Sequence, residues 1–281
     1  MNKKLSQNIA YSFMWLCGII AIGALLLIIG YVLIRGIPGI SWEFFTTKPK
    51  AGMSGEGGIL PMLISTAWLL GMTMAILIPI GFFSAVYLSE YAPANKLTTF
   101  VKYCIETLAG IPSIIFGVFG FMVLILIFGF DISITVGSIV LACLLLPFMI
   151  CTAEEAIKVV PQNARSASLA LGATKWQTVW RVVLPVALAG IFTAIILSIA
   201  RALSETACLF LTMGSFSAIP TSPADGGRSL AMHIYYLTVE LGKYEAALSV
   251  AAVLIVIILA FSIITNIIST LSRKKLGMGR Y

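Results

Sequence analysis

The sequence predicts an all-α integral membrane protein with about six transmembrane helices, and three observations carry that prediction. Apolar residues fill 60% of the 281 positions and charged residues only 10%, against roughly 45–50% and about 25% in a soluble domain. Apolar segments recur near 11–34, 59–88, 105–130, 135–158, 186–213 and 244–271, each long enough to supply the about 20 residues that a spanning helix needs. The basic residues divide unevenly between the connecting stretches. Six spans with short loops use most of this length, so residues 1–281 read as a single membrane domain without a large soluble part.

The first segment, from about Tyr11 to Ile34, follows Lys3 and Lys4. It is longer than the core of a secretory signal and no small-residue cleavage site follows it, so it reads as a span. The loop after it, 35–58, includes Gly52-Met53-Ser54-Gly55-Glu56-Gly57-Gly58, a composition that favours turns over a packed domain. The second span starts near Ile59. In the third, Glu106-Thr107-Leu108-Ala109-Gly110-Ile111-Pro112-Ser113 interrupts the apolar pattern. Pro112 removes a helical donor and Gly110 loosens the backbone, which predicts a kink. Such a break is either a plain bend or an element that sets backbone donors beside an anion at membrane depth. Glu106 reads equally well as a solvated helix-end residue.

The fourth span leads into a loop with an amphipathic helical pattern from about Asn163 to Trp180, in which Trp176 and Trp180 suit a lipid interface. Pro185 then opens the fifth span near its first turn. Residues 214–243, with Pro220-Thr221-Ser222-Pro223, again read as turns, and the sixth span follows. If the N-terminus is cytoplasmic, twelve of the 18 basic residues fall on that side and five on the other, with Arg201 inside the membrane. This is the positive-inside pattern, and it predicts that both termini are cytoplasmic. The net charge of +7 therefore reflects topology. The basic residues are scattered and form no basic–aromatic patch, which argues against nucleic acid as a partner.

The five cysteines lie in or beside apolar stretches without CxxC spacing, and read as free packing thiols. His233, the single histidine, falls in a predicted loop. One histidine cannot assemble a metal site, so it reads as a solvated loop residue.

Span five carries two charges, Arg201 and Glu205, in Ala200-Arg201-Ala202-Leu203-Ser204-Glu205-Thr206-Ala207. Spacing of four predicts that both share one helical face. A central Arg costs about 2.5–3.5 kcal/mol on insertion scales and faces the bundle interior, so a functional role is the default reading beside that of a mutually neutralising structural pair. Guanidinium presents planar donors suited to a tetrahedral oxyanion. Glu205 can hold Arg201 when no substrate is present and can accept the proton-bearing oxygen of hydrogen phosphate, which sulfate lacks.

Ser166-Ala167-Ser168-Leu169-Ala170-Leu171-Gly172, nine residues, then Val182-Val183-Leu184-Pro185 resembles the signature of ABC importer permeases, EAA, three residues, G, nine residues, I-x-LP. Ala167, Gly172, Leu184 and Pro185 match it, Val182 stands for Ile, and Ser166 and Ser168 depart from Glu and Ala. The resemblance implies that 163–185 is the coupling loop docking on an ATPase, with Arg165 beside Ser166 as a polar contact. No GxxxxGK[ST] loop occurs in the sequence, so ATP and Mg would be used by a separate chain and this one would need no cofactor.

Gly57-Gly58-Ile59-Leu60-Pro61, the run from Glu106 to Gly117 and the Arg201–Glu205 segment together resemble permeases of the phosphate-specific transport (Pst) importer, the Glu-Thr-Ala ending being closer to the A type than to the C type. The resemblance implies a type I ABC importer permease (MetI-like) architecture, with about 59–272 as the transport core, in a bacterial or archaeal inner membrane. It implies as partners a second, C-type permease, a dimer of ATPase subunits, an external phosphate-binding protein and phosphate itself. Arg201 and Glu205 fall on the family's charged pair, and Thr206 and Ser113 join them as candidate translocation residues. A permease for another oxyanion or phosphorus compound shares all of this but the substrate. An ion-coupled secondary transporter would need no ATPase, and a membrane enzyme lacks a nucleophile–base or metal constellation.

Overall fold

The computed structural model describes residues 3–49 and 57–275, so Gly52 to Glu56 of the first turn-rich loop lie outside the described residues. The regular structure among the described residues is helical: α1 Lys3–Gly36, α2 Trp42–Thr46, α3 Leu60–Val86, α4 Lys96–Ala109, α5 Ser113–Gly120, α6 Ile134–Lys158, α7 Gln162–Ala170, α8 Lys175–Thr178, α9 Leu184–Ser204, α10 Ala207–Thr212, α11 Leu230–Tyr235 and α12 Tyr244–Lys275. Wider π turns extend α3 over Tyr87–Tyr91, extend α5 over Phe121–Ile127, join α8 to α9 over Val179–Val183 and extend α11 over Tyr236–Glu240. Among the described residues, five helices are long and apolar enough to span a membrane, or six if one bent pair is counted as a single span.

That bent pair replaces the third predicted span. The expected kink is a corner: Lys96–Ala109 and Ser113–Ile127 meet at 100°. Pro112 sits at φ −56°, ψ 136°, outside the helical region. Without an N–H it cannot continue the ladder of α4, and its ring pushes Ile111 away from helical angles. The break therefore falls where Gly110 and Pro112 place it, and the segment near 105–109 belongs to a separate amphipathic helix rather than to a continuous span.

Other boundaries also shift. The fifth apolar helix runs Lys175–Ser204 and stops nine residues short of the expected end at 213. The loop helix expected over 163–180 is two helices. α7 closes with a Schellman turn in which Ala173 N–H donates to Ser168 O at 3.2 Å and Gly172 N–H to Leu169 O at 3.0 Å. Gly172 takes φ +85°, a conformation costly to any residue with a Cβ. Thr174 and Gln177 then form a reciprocal capping box that starts α8.

α3 and α6 form the centre of the bundle. Leu69, Met74 and Leu77 of α3 bury against Leu141, Leu145 and Met149 of α6, with Leu209 and Met213 of the α10 region closing the cluster. Ala153 and Ile157 pack with Val179, Val183 and Leu184 at the end carrying α7 and α8. At the other end Ile59, Leu230 and Val250 pack together. α1 lies against α12. Most of its apolar side chains, among them Leu25, Leu26 and Ile28, point away from the protein, as a lipid-facing helix requires.

The loop after α10 is also built into the fold. The first N–H groups of α6 have no helical partner. They are satisfied by Asp225 O on Ile134 at 2.9 Å, Pro223 O on Thr135 at 2.9 Å and the Ser133 hydroxyl on Val136 at 3.3 Å. The Asp225 carboxylate accepts from Thr221 N–H at 2.7 Å, Thr221 O–H at 2.8 Å and Ser222 N–H at 3.0 Å. These donors hold its carboxyl below the usual range.

Candidate functional site

Arg201 and Glu205 lie on two sides of a helix end, not on one helical face as the spacing suggested. α9 ends at Ser204, whose hydroxyl donates to Arg201 O at 3.0 Å. Glu205 takes ψ 136° and Thr206 φ −131°, ψ −52°, before Ala207 starts α10. The chain therefore turns out of the helix at the carboxylate. Backbone groups that a continuous span would bond internally are released there, a state tolerated at membrane depth only beside protein or a polar path.

The pair is loose. Arg201 Nε stands 3.9 Å from Glu205 Oε1, with side-chain exposures of 37% and 14%. The guanidinium lies over the Phe148 ring of α6, 5.3 Å from its centre, which supplies a cation–π contact. Among the described residues its terminal nitrogens have no hydrogen-bond partner, so the face best suited to a bidentate anion is free. Phe148 carried no sequence signal, because it is one aromatic among many in an apolar run.

The break at Gly110 and Pro112 is tied to this pair through α10. α5 packs on α10 so closely that a Cβ at Gly117 would lie 2.8 Å from Cys208 Cα and 3.0 Å from Cys208 O. Ser113 opens α5 half-buried and makes no hydrogen bond to Arg201 or Glu205; Thr206 precedes α10, its backbone carbonyl accepting from Phe210 N–H at 3.1 Å and its side chain making no capping bond. Arg201 and Glu205 are thus brought together, with Thr206 adjoining and Ser113 on the neighbouring helix.

The residues of the loop expected to couple to an ATPase lie at the opposite end of α9. Leu171, at the turn after α7, is 89% exposed. Ala167 accepts from Leu171 N–H at 3.2 Å, and Pro185 lies in the first turn of α9 beside the buried Leu184. Ser166 lines a cleft of about 460 Å³ with Glu90, Lys158, Arg165 and Lys175. Arg165, expected to reach a partner, instead turns inward: it donates to Glu90 and to the ends of α6, and its side chain is only 13% exposed.

His233 is not a solvated loop residue. It sits in α11 at 5% exposure, because Leu230, Ala231 and Leu237 anchor the helix in the core. Arg228, also buried, donates to Ser215 Oγ at 3.0 Å and to Ser215 O at 2.6 Å, and faces His233 Nδ1 at 3.3 Å. Its guanidinium lies 3.9 Å from the Tyr236 ring centre. Arginine only donates, so Nδ1 accepts and the proton of the neutral ring is on Nε2. Burial, then the Arg228 charge, push the imidazole down from 6.5 to about 4. As pH falls from 6.5 towards 4 the unfolded chain takes up a proton that the fold refuses. Stability is thus fully present above 6.5 and falls, by on the order of 3 kcal/mol, across that window. Thermal unfolding of the solubilised protein at pH 4.5 and 7 should show this slope, and His233→Gln should flatten it; equal slopes in the two proteins would refute the assignment.

Residues 77–277 match the family model described as "Binding-protein-dependent transport system inner membrane component". The chain is 35% identical to the probable ABC transporter permease protein YqgI of Bacillus subtilis, covering 98% of this chain and 99% of that one. It is 31% identical to the phosphate transport system permease protein PstA of Mycobacterium leprae, over 92% of this chain and 87% of that one. Among solved structures, a chain of the inward-facing MetNI methionine ABC transporter superposes with a TM-score of 0.56 at 23% identity, covering 76% of this chain and 94% of that one. A bacterial alginate ABC transporter in complex with its pentasaccharide-bound periplasmic protein superposes with a TM-score of 0.64 at 15% identity, over 95% and 97%. These two likenesses establish the fold alone.

Proposed function

The chain belongs to the family of binding-protein-dependent transport system inner membrane components, and from that premise we propose that it is the A-type permease of an ATP-driven importer that carries inorganic phosphate into the cytoplasm. The observation that carries the substrate is the loose Arg201–Glu205 pair, with free guanidinium nitrogens at a helix end beside Phe148. The phosphate permeases at 31% identity support the same reading.

Hydrogen phosphate reaching the pair from an external binding protein accepts two parallel hydrogen bonds from Arg201. Its remaining O–H donates to Glu205, an interaction that sulfate cannot make. Without substrate, Glu205 offsets the Arg201 charge and lowers the cost of keeping it in the membrane. The 3.9 Å separation makes that internal contact weak enough for an anion to displace. A second, C-type permease would complete the path. ATP and Mg act on a dimer of ATPase subunits that docks at the loop 163–185, where the exposed Leu171 is the foremost apolar contact. The charge bias of the loops supports cytoplasmic termini.

In vesicles carrying the purified complex with its ATPase, labelled phosphate should accumulate only when ATP is supplied on the ATPase side, and tenfold excess sulfate should compete weakly. Accumulation driven by an ion gradient without ATP would overturn the ABC reading. Sulfate or an organophosphorus compound displacing phosphate would move the substrate to another member of the oxyanion class.

A further inference from the structure

Arg165 ties its own helix, α7, to two other segments at once. Nε and Nη2 donate to Glu90 Oε1 at 3.1 and 2.7 Å. Nη2 also donates to Ile157 O at 2.9 Å, and Nη1 donates to Val160 O. Glu90 belongs to the π turn that ends the α3 segment; Ile157 lies in the last turn of α6, its carbonyl also accepting from Val160 N–H at 3.2 Å, and Val160 lies two residues past that helix. Arg165 itself is on α7. Both side chains are almost buried, at 13% and 10% exposure. A planar fork with Glu90 on one side and two carbonyls on the other holds all three elements in one orientation, which a lysine cannot do.

Around this joint, Lys175 lies over the Tyr91 ring at 5.3 Å and the Ser168 and Thr178 hydroxyls meet at 2.9 Å. Lys158 bonds Glu154 at 2.8 Å one turn earlier on α6. α6 then runs without a break to Phe148, the ring beneath Arg201. Nine residues of helix separate Ile157 from Phe148, about 13 Å at 1.5 Å per residue. One continuous helix therefore joins the loop to the charged pair, and α3 is packed along it.

We propose that the Arg165–Glu90 clamp is the rigid joint that passes movement of the coupling loop to α3 and α6, and so to the ring beneath Arg201. This rests on reading 163–185 as the ATPase-coupling loop. Arg165 and Glu90 are positioning residues: they act through α6 and need not touch the ATPase.

The test uses the complete complex with its ATPase, as wild type, Glu90→Gln, Arg165→Lys and the conservative Glu90→Asp. Co-purification gives assembly, and vesicles give labelled phosphate imported per ATP hydrolysed. Amide exchange with and without ATP plus vanadate reads the response at α7–α8 and at Phe148–Arg201, independently of substrate. In Glu90→Gln and Arg165→Lys the assembled complex should import at least tenfold less phosphate per ATP. Vanadate trapping should still change exchange at α7–α8 but no longer at Phe148–Arg201, whereas Glu90→Asp, which keeps a carboxylate for Arg165 and leaves its bonds to Ile157 O and Val160 O in place, should stay within about threefold of wild type. An unchanged ratio with both regions responding in Glu90→Gln and Arg165→Lys would overturn the clamp, as would loss of assembly in every variant, Glu90→Asp included, which marks a purely structural pair. Loss of the α7–α8 response with the ATPase still bound would make the pair a docking contact instead. A wild type whose trapping response is intact but which imports no phosphate overturns the substrate reading and leaves the clamp judged by exchange. A wild type with no response to ATP takes both readings down.

Discussion

Arg201→Gln should lower phosphate uptake at least a hundredfold while the protein still inserts, assembles and unfolds near its normal temperature. Two charge-assisted hydrogen bonds to the anion are lost, at about 1.5–3 kcal/mol each, and about 2.7 kcal/mol already amounts to a hundredfold. The fold should tolerate the change. Arg201 is 37% exposed, and its contacts are one long approach to Glu205 and the face of Phe148, so little packing is lost. Glutamine keeps the first two methylenes of the stem but is shorter, and its amide is a neutral donor without the fork. Arg201→Lys keeps the charge without the fork and should fall between the two. Uptake in vesicles, normalised to complex recovered by co-purification, separates transport from assembly. Uptake by Arg201→Gln at the wild-type rate would remove the pair from the transport path.

Gly117→Ala should damage the protein far more than a single methyl suggests. The added Cβ would meet Cys208 Cα at 2.8 Å and Cys208 O at 3.0 Å, and these are backbone atoms with no rotamer to yield. α5 and α10 must move apart. Overpacking of this kind costs about 1–3 kcal/mol, and here the moved element begins two residues after Glu205. The expected result is a lower unfolding temperature together with a fall in uptake greater than the loss of folded complex. Gly23→Ala is the control: no atom lies within 4 Å of its Cβ position on α1, and a helical alanine replaces a poorer helix former. Equal behaviour of the two variants would show that the α5–α10 contact does not govern the site.

Much of this molecule is written in local pattern. Long apolar runs locate the spans because bilayer thickness and backbone hydrogen bonding leave a helix as the only economical way across. Gly110 and Pro112 mark the broken helix, and the Arg201–Glu205 charges mark themselves by their cost. These are properties of a residue and its near neighbours.

What the sequence could not supply were the partners reached through packing. The spacing of Arg201 and Glu205 implied a helical face, whereas the helix ends between them and leaves the pair open. Arg165 looked available to another protein, yet Glu90, 75 positions away, takes its guanidinium. His233 sat among turn-forming residues, yet anchoring of α11 in the core buries it and Arg228 fixes its tautomer. By itself the sequence determined where the apolar helices lie, where the third is broken and where charge enters the membrane, because membrane insertion and backbone geometry are decided over a few turns of chain. Only the tertiary structure decided which charges are joined and which are free, because a hydrogen bond between distant residues exists only once the helices carrying them have packed.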